Sequence, residues 1–186
     1  MNKISLAILL TAFLSSSMAY ADKHTVSIGY AQSKAQGFDD LNGVNVQYRY
    51  EFDSQLSVLG SFSYMKGNGE QDYFATNDVV HNNVDVNYYS LLAGPAYRIN
   101  DNLSLYALGG VAYVKASGNT QWWNNGYDYM GQESISEKSA SFAWGAGVII
   151  NPTDNFSVNV GYEGTQTDLQ GNYSINGFNL GIGYRF

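Results

Sequence analysis

The sequence runs to 186 residues and carries a net charge of −7, with nine lysines and arginines against sixteen carboxylates. Its hydrophobic share of 45%, a third of it aromatic, is enough apolar surface for one folded domain and excludes a disordered chain. With no cysteine and two histidines, disulfide scaffolds, thiol nucleophiles and cysteine zinc sites are excluded, and the acidic balance argues against nucleic-acid binding.

Residues 1–21 read as a cleaved signal peptide. Lys3 supplies the positive start, Ile4 to Leu14 an apolar stretch broken only by Ser5 and Thr11, and Ala19-Tyr20-Ala21 a small-x-small cleavage pattern. The apolar stretch is shorter than the ~20 residues that a helix needs to span a bilayer. The mature chain is therefore expected to start at Asp22 and to form one domain over 22–186.

From there the hydrophobic period is two, the signature of strands. One face per segment reads Val26, Ile28, Tyr30; then Val44, Val46, Tyr48, Tyr50, Phe52; then Leu56, Val58, Phe62, Tyr64. The fourth segment gives Tyr89, Leu91, Ala93, Pro95, Tyr97, Ile99, and the fifth Leu103, Leu105, Val111, Tyr113. The last three give Phe142, Trp144, Ala146, Val148, Ile150; then Phe156, Val158, Val160, Tyr162; then Phe178, Leu180, Ile182, Tyr184, Phe186. In segment five Tyr106 and Leu108 make both faces apolar.

Connections alternate between short and long. Asp53 to Gln55, Asn100 to Asn102 and Asn151 to Asn155 are tight turns rich in Asn and Asp. Ala35 to Asn42, Gly67 to Asn83, Ala116 to Lys138 and Gln166 to Ser174 are longer, and are expected to be four loops at the opposite end. This alternation predicts an all-β, eight-stranded antiparallel up-and-down barrel.

Period two does not say which face points inward, since a soluble barrel buries its apolar face and a membrane barrel turns it to lipid. Three features favour the transmembrane barrel. Arg49, Glu51, Glu163 and Arg185 lie mid-strand on the polar face, where a narrow lumen suits charges that pair across it, and Arg98 joins them as a fifth candidate for lumenal ion pairs. Aromatics gather near segment ends, as interfacial girdles require. The sequence also stops within the eighth segment, on apolar-face Phe186, without a polar tail. A packed lumen this narrow predicts a structural ion-pair network and no ion path.

GPAYRI at Gly94 to Ile99, SLYAL at Ser104 to Leu108, FAWGAG at Phe142 to Gly147, VGYEG at Val160 to Gly164 and the ending INGFNLGIGYRF resemble the Ail/Lom/OmpX family of enterobacterial outer-membrane proteins. VSIGYAQSK at Val26 to Lys34 and GVNVQYRYEF at Gly43 to Phe52 extend the likeness, which within the family points to the PagC/Rck virulence branch. The resemblance implies a bacterial outer-membrane barrel with periplasmic termini, surrounded by lipid and lipopolysaccharide, and monomeric. It also implies that Tyr184 and Phe186 form the signal read by the barrel-assembly machinery. Family members promote adhesion, invasion, serum resistance or intracellular survival, so a host surface or serum protein is the implied partner.

No enzyme is expected. His24 sits at the periplasmic end and His81 in a long connection, so neither has a rigid partner for catalysis, and no cofactor motif or metal cluster stands out. Function is expected in the loops. Tyr73 and Phe74 in the second loop, with Trp122 and Trp123 in the third, are candidate contact residues, because exposed aromatics favour binding hot spots; the alternative is that they pack the loop hairpins together or dip into lipopolysaccharide. The loops carry four lysines against ten carboxylates, which disfavours heparin-like polyanions. A structural or stress-related envelope protein with no dedicated ligand is the alternative.

Overall fold

The computed structural model describes residues 23–35, 40–52, 55–75, 78–124, 128–168 and 172–186. The signal peptide expected over 1–21 lies outside these. Eight strands follow one another: β1 (His24–Ala35), β2 (Asp40–Glu51), β3 (Leu56–Ala75), β4 (Asp78–Asn100), β5 (Leu103–Asn124), β6 (Asp128–Ile150), β7 (Phe156–Asp168) and β8 (Asn172–Arg185). Each pairs antiparallel with the next, and β8 pairs with β1 to close the barrel. At the seam the Phe186 amide donates to the His24 carbonyl at 2.9 Å, and the His24 amide to the Phe186 carbonyl at 3.1 Å.

The apolar face points outward. Phe142 and Ile182 are 69% and 68% exposed, whereas Arg49 and Glu51 on the other face are 2% and 3% exposed. Surfaces of that kind are stable only against hydrocarbon. Outward aromatics form two belts. The periplasmic belt includes Tyr50 packed edge-on against Phe52 and Phe156 against Tyr184. The outer belt includes Tyr64 beside Tyr89, with ring centroids 4.9 Å apart. His24 joins the periplasmic belt, where its Nδ1 meets the Tyr48 hydroxyl at 2.7 Å and its ring stacks on Phe186.

Strand length departs from expectation in the middle of the chain. β1 and β2 have 12 residues each, close to the 9–11 or so that cross a bilayer at a tilt, whereas β3 to β6 have 20 to 23. The segments expected as loops two and three, Gly67 to Asn83 and Ala116 to Lys138, are mostly paired strand instead. β3 pairs with β4 out to Ala75↔Asp78, and β4 with β5 out to Val79↔Trp123. β2 pairs with β3 only as far as Asn42↔Lys66, and β6 with β7 only as far as Ala143↔Thr165. A four-stranded finger therefore continues beyond the barrel, about 30 Å of extra strand at ~3.3 Å per residue. The alternation faded there because neither finger face meets lipid: Lys115 to Gln121 are all half-buried.

The lumen also departs from a wholly polar filling. Thr25, Ser27, Asn45, Gln47, Asn159 and Asn179 form a polar wall on β1, β2, β7 and β8. Tyr88, Leu92, Tyr106, Leu108, Ala112, Val114 and Ala143 form an apolar wall on β4, β5 and β6. That second wall explains the doubly apolar segment five: one face meets lipid and the other a packed interior. Tyr106 reaches across to lie over Gly147 and Gly161, where a Cβ at either position would run into its ring or hydroxyl. Gly161→Val is therefore expected to displace Tyr106 and destabilise the barrel by about 1–3 kcal/mol. The measurement is the temperature at which the fast-migrating folded band on SDS gels converts to the slower unfolded one; an unchanged temperature contradicts this packing.

Candidate functional site

Two places gather the residues singled out by sequence: the periplasmic half of the lumen and the extracellular finger. In the lumen, Glu51 is the hub. Arg49 Nη1 lies 3.4 Å from its Oε1, Arg185 Nη2 lies 2.8 Å from its Oε2, and Arg98 bridges to the same Oε2. These residues come from β2, β4 and β8, so the inward period-two register of three strands converges on one carboxylate. Arg49 is held further by Nε donating to Ser57 Oγ at 2.8 Å and Nη2 donating to Ser104 Oγ at 3.1 Å. With three guanidinium groups to one buried carboxylate, removing the carboxylate leaves positive charge without its counter-ion.

Glu163 does not join this cluster. It sits toward the outer half of the lumen, accepting a hydrogen bond from the Tyr88 hydroxyl and another from Ser63 Oγ at 3.0 Å. Among the described residues it forms no salt bridge. Sequence placed it correctly on the inner face but not at its height. Tyr88 went unnoticed because it stands next to outward Tyr89, and only the register separates the two. The polar wall closes around these groups through Asn159 Nδ2 to Gln47 Oε1 at 3.1 Å and Asn45 Nδ2 to Ser61 Oγ at 2.8 Å. The gap lined by Gln47, Tyr106, Leu108, Glu163 and Asn179 has no room for a water molecule. That part of the interior is packed as a core is.

Among the described residues no cluster of three or more His, Cys, Asp or Glu side chains comes together.

In the finger, the backbone register sets Tyr73 opposite Val80 and Val80 opposite Trp122, and in the next row Phe74 opposite Val79 and Val79 opposite Trp123. The four aromatic positions thus fall in two adjacent cross-strand rows near the tip; their side chains lie outside the described residues. The register slips by one residue between Trp122 and Trp123, and Gly131, opposite Trp122, adopts φ 151°. That conformation disfavours residues with a Cβ, and such a bulge twists the strand that carries it. Tyr184 and Phe186 lie at the periplasmic seam, their rings stacked with centroids 6.5 Å apart.

A family model described as enterobacterial Ail/Lom protein matches residues 1–186. The chain is 44% identical over 185 residues to the virulence membrane protein PagC of Salmonella typhimurium, covering 98% of this chain and 97% of that protein. It is 40% identical over 171 residues to the attachment invasion locus protein of Yersinia enterocolitica, covering 89% and 87% respectively. The crystal structure of Ail, the attachment invasion locus protein of Yersinia pestis, superposes with a TM-score of 0.68 at 33% identity, covering 89% of this chain and 99% of that one. That protein has also been solved in complex with the heparin analogue sucrose octasulfate.

The lumenal geometry ranks two substitutions. Glu51→Gln leaves three arginines around a neutral group and is expected to cost about 3–5 kcal/mol of unfolding free energy. Glu163→Gln loses one accepting oxygen against two hydroxyl donors and is expected to cost less, about 1–3 kcal/mol. Urea unfolding in micelles measures both, and the reverse ranking contradicts the assignment of Glu51 as hub. Neither variant is expected to open a steady conductance in planar bilayers.

Proposed function

The chain belongs to the enterobacterial Ail/Lom family of outer-membrane proteins, and on that premise we propose that it is a virulence-associated surface protein that contacts a host component through its extracellular finger. Residues 1–21 export it, Tyr184 and Phe186 present it to the barrel-assembly machinery, and the closed barrel holds the finger upright as a monomer. The contact residues are Tyr73, Phe74, Trp122 and Trp123.

The single observation that carries this reading is the finger itself. β3 to β6 extend eight to eleven residues past the length of β1, although nothing in crossing the membrane needs them. Long extracellular structure on a rigid scaffold is where surface proteins place recognition. The relatives named for virulence and for attachment and invasion favour the same reading over a structural or stress-related envelope protein.

The charge of the finger narrows the partner. Over residues 66–86 and 115–138, three lysines stand against seven carboxylates, a net charge of −4. A polyanion such as the heparin analogue bound by the Yersinia pestis protein meets repulsion over most of this surface. A host or serum protein with a basic patch is the better match, held by the aromatic rows and steered by the carboxylates.

The test displays two forms on a non-adherent strain: the wild type and a form with residues 72–81 and 121–131 replaced by tight turns. Both are expected to insert equally, since the barrel strands remain whole. The trimmed form is expected to lose cell binding and serum survival. Equal behaviour of the two forms sinks the assignment to the finger tip, and a wild type no better than an empty vector favours the envelope-protein reading.

A further inference from the structure

The two faces of the finger differ. By the cross-strand register one face carries Asn68, Asp85, Ser117 and Ser136 in one row and Asn83, Asn119 and Ser134 in the next, polar throughout. The other face continues the inner wall of the barrel. Its rows run Gly67, Val86, Ala116, Glu137, then Gly69, Val84, Gly118, Ile135, then Thr120 and Glu133. Val86 is buried, and Val84 and Ala116 pack against the lumenal core, so the apolar interior climbs along this face past the outer aromatic belt. At the middle row the covering stops. Ile135 is 55% exposed, and a Cβ added at Gly69 or Gly118 meets nothing.

Charge separates between the faces as well. Lys66, Lys115 and Lys138 all stand on the polar face by alternation, where Lys66 bonds to Asp85 at 3.3 Å. Glu133 and Glu137 stand on the inner face, two residues to either side of Ile135. Among the described residues of the finger no lysine or arginine shares that face. An exposed apolar side chain beside open space, outside the hydrocarbon and edged by carboxylates, is the pattern of a docking surface.

We propose that this inner face of β5 and β6 receives an extended segment of the host partner, with an apolar side chain seated over Gly118 between Val84 and Ile135 and a cation two residues to each side, paired with Glu133 and Glu137. The spacing follows from strand geometry. Glu133 and Glu137 are ~13 Å apart along one strand, and an extended chain lying alongside places its residues i, i+2 and i+4 on one face over that same distance. Charge complementarity selects the two ends of the segment, and the open space over Gly118 selects an apolar middle. The proposal rests on the host-contact reading and deepens it: part of the contact lies down the inner face, below the aromatic rows, and the partner presents cation, apolar group and cation in alternation. The trimmed finger described above keeps Gly118, Glu133, Ile135 and Glu137, so tip and inner face are tested apart.

The experiment titrates the full mature barrel, in zwitterionic micelles, with two short peptides of the same composition and charge. In Thr-Thr-Lys-Thr-Val-Thr-Lys-Thr-Thr both lysines share the face of the valine when the chain is extended; in Thr-Thr-Lys-Thr-Val-Lys-Thr-Thr-Thr one lysine turns to the opposite face. The first is expected to bind roughly tenfold more tightly than the second, with an affinity that falls as salt rises. Glu133→Gln with Glu137→Gln is expected to abolish that preference. Gly118→Val has room for its side chain and is expected to fold, but it fills the seat and weakens binding of the first peptide by a similar factor. Ser136→Ala, on the polar face, is expected to change little. On a non-adherent strain, Gly118→Val is expected to lose cell binding although the tip is intact. Folding of each variant is checked by its gel mobility shift, and if the double glutamate variant does not fold, the two peptides on the wild type decide the question. The proposal is overturned if the peptides bind alike, if the folded double variant keeps the preference, or if the wild type forms a dimer that Gly118→Val dissolves, which makes a second copy the occupant. If Gly118→Val adheres as the wild type does while the trimmed finger does not, this proposal alone fails and the contact stays at the tip. A wild type no better than an empty vector overturns the host-contact reading and this proposal with it.

Discussion

Hydrocarbon offers no hydrogen bonds, and that one constraint organises the whole molecule. Every backbone amide that crosses the lipid has to be satisfied by a neighbouring strand, so a sheet can span only if it closes. Closure fixes antiparallel neighbours from β1 to β8, puts both ends of the chain on the side of the three tight turns, and forces one face of every strand outward. It also makes the interior narrow, so that charged and polar side chains must find partners within a few ångströms or destabilise the fold.

The same constraint explains what could be read from sequence. The outward face was legible almost residue by residue, because lipid demands apolar groups at strict period two: Val26, Ile28 and Tyr30, or Phe178, Leu180 and Ile182, have no other solution. The Asn- and Asp-rich turns were legible through their local chemistry. The inner face was harder. A packed lumen accepts Leu92 or Val114 as readily as Asn45 or Gln47, so composition there carries no fixed sign. The inner-face placement of Glu51 and Glu163 was readable, but their separation depends on strand stagger around the ring, which no local pattern records.

The finger was misread for a related reason. Once β3 to β6 leave the membrane neither face is held to one polarity, and segments such as NTQWW and VVHNNV lose the alternation that identifies strands. The remaining signal was β propensity, valines at 79, 80, 84 and 86, and it was masked by the turn-favouring Asn82, Asn83 and Asp85 between them. Charge is stratified along this extension. Lysines concentrate at its foot beside the headgroups and carboxylates dominate above, so one sheet presents opposite electrostatic character to its own membrane and to the surroundings.

The charge cluster around Glu51 has a kinetic side. Its bridge to Arg185 joins groups 134 residues apart in sequence, and Arg98 reaches it from a third strand. Contacts with such separations are paid for in loop-closure entropy before they return any stabilisation, which makes them slow to form. Glu51 therefore cannot collect its full set of cations until β8 has come around to β1. A partly zipped sheet holds the carboxylate without Arg185, and the last stretch of hydrogen-bonded ladder and the completion of the ion cluster arrive together. Ring closure is thereby made abrupt: the intermediate just short of it lacks both, and the finished barrel has no easy first step by which to reopen.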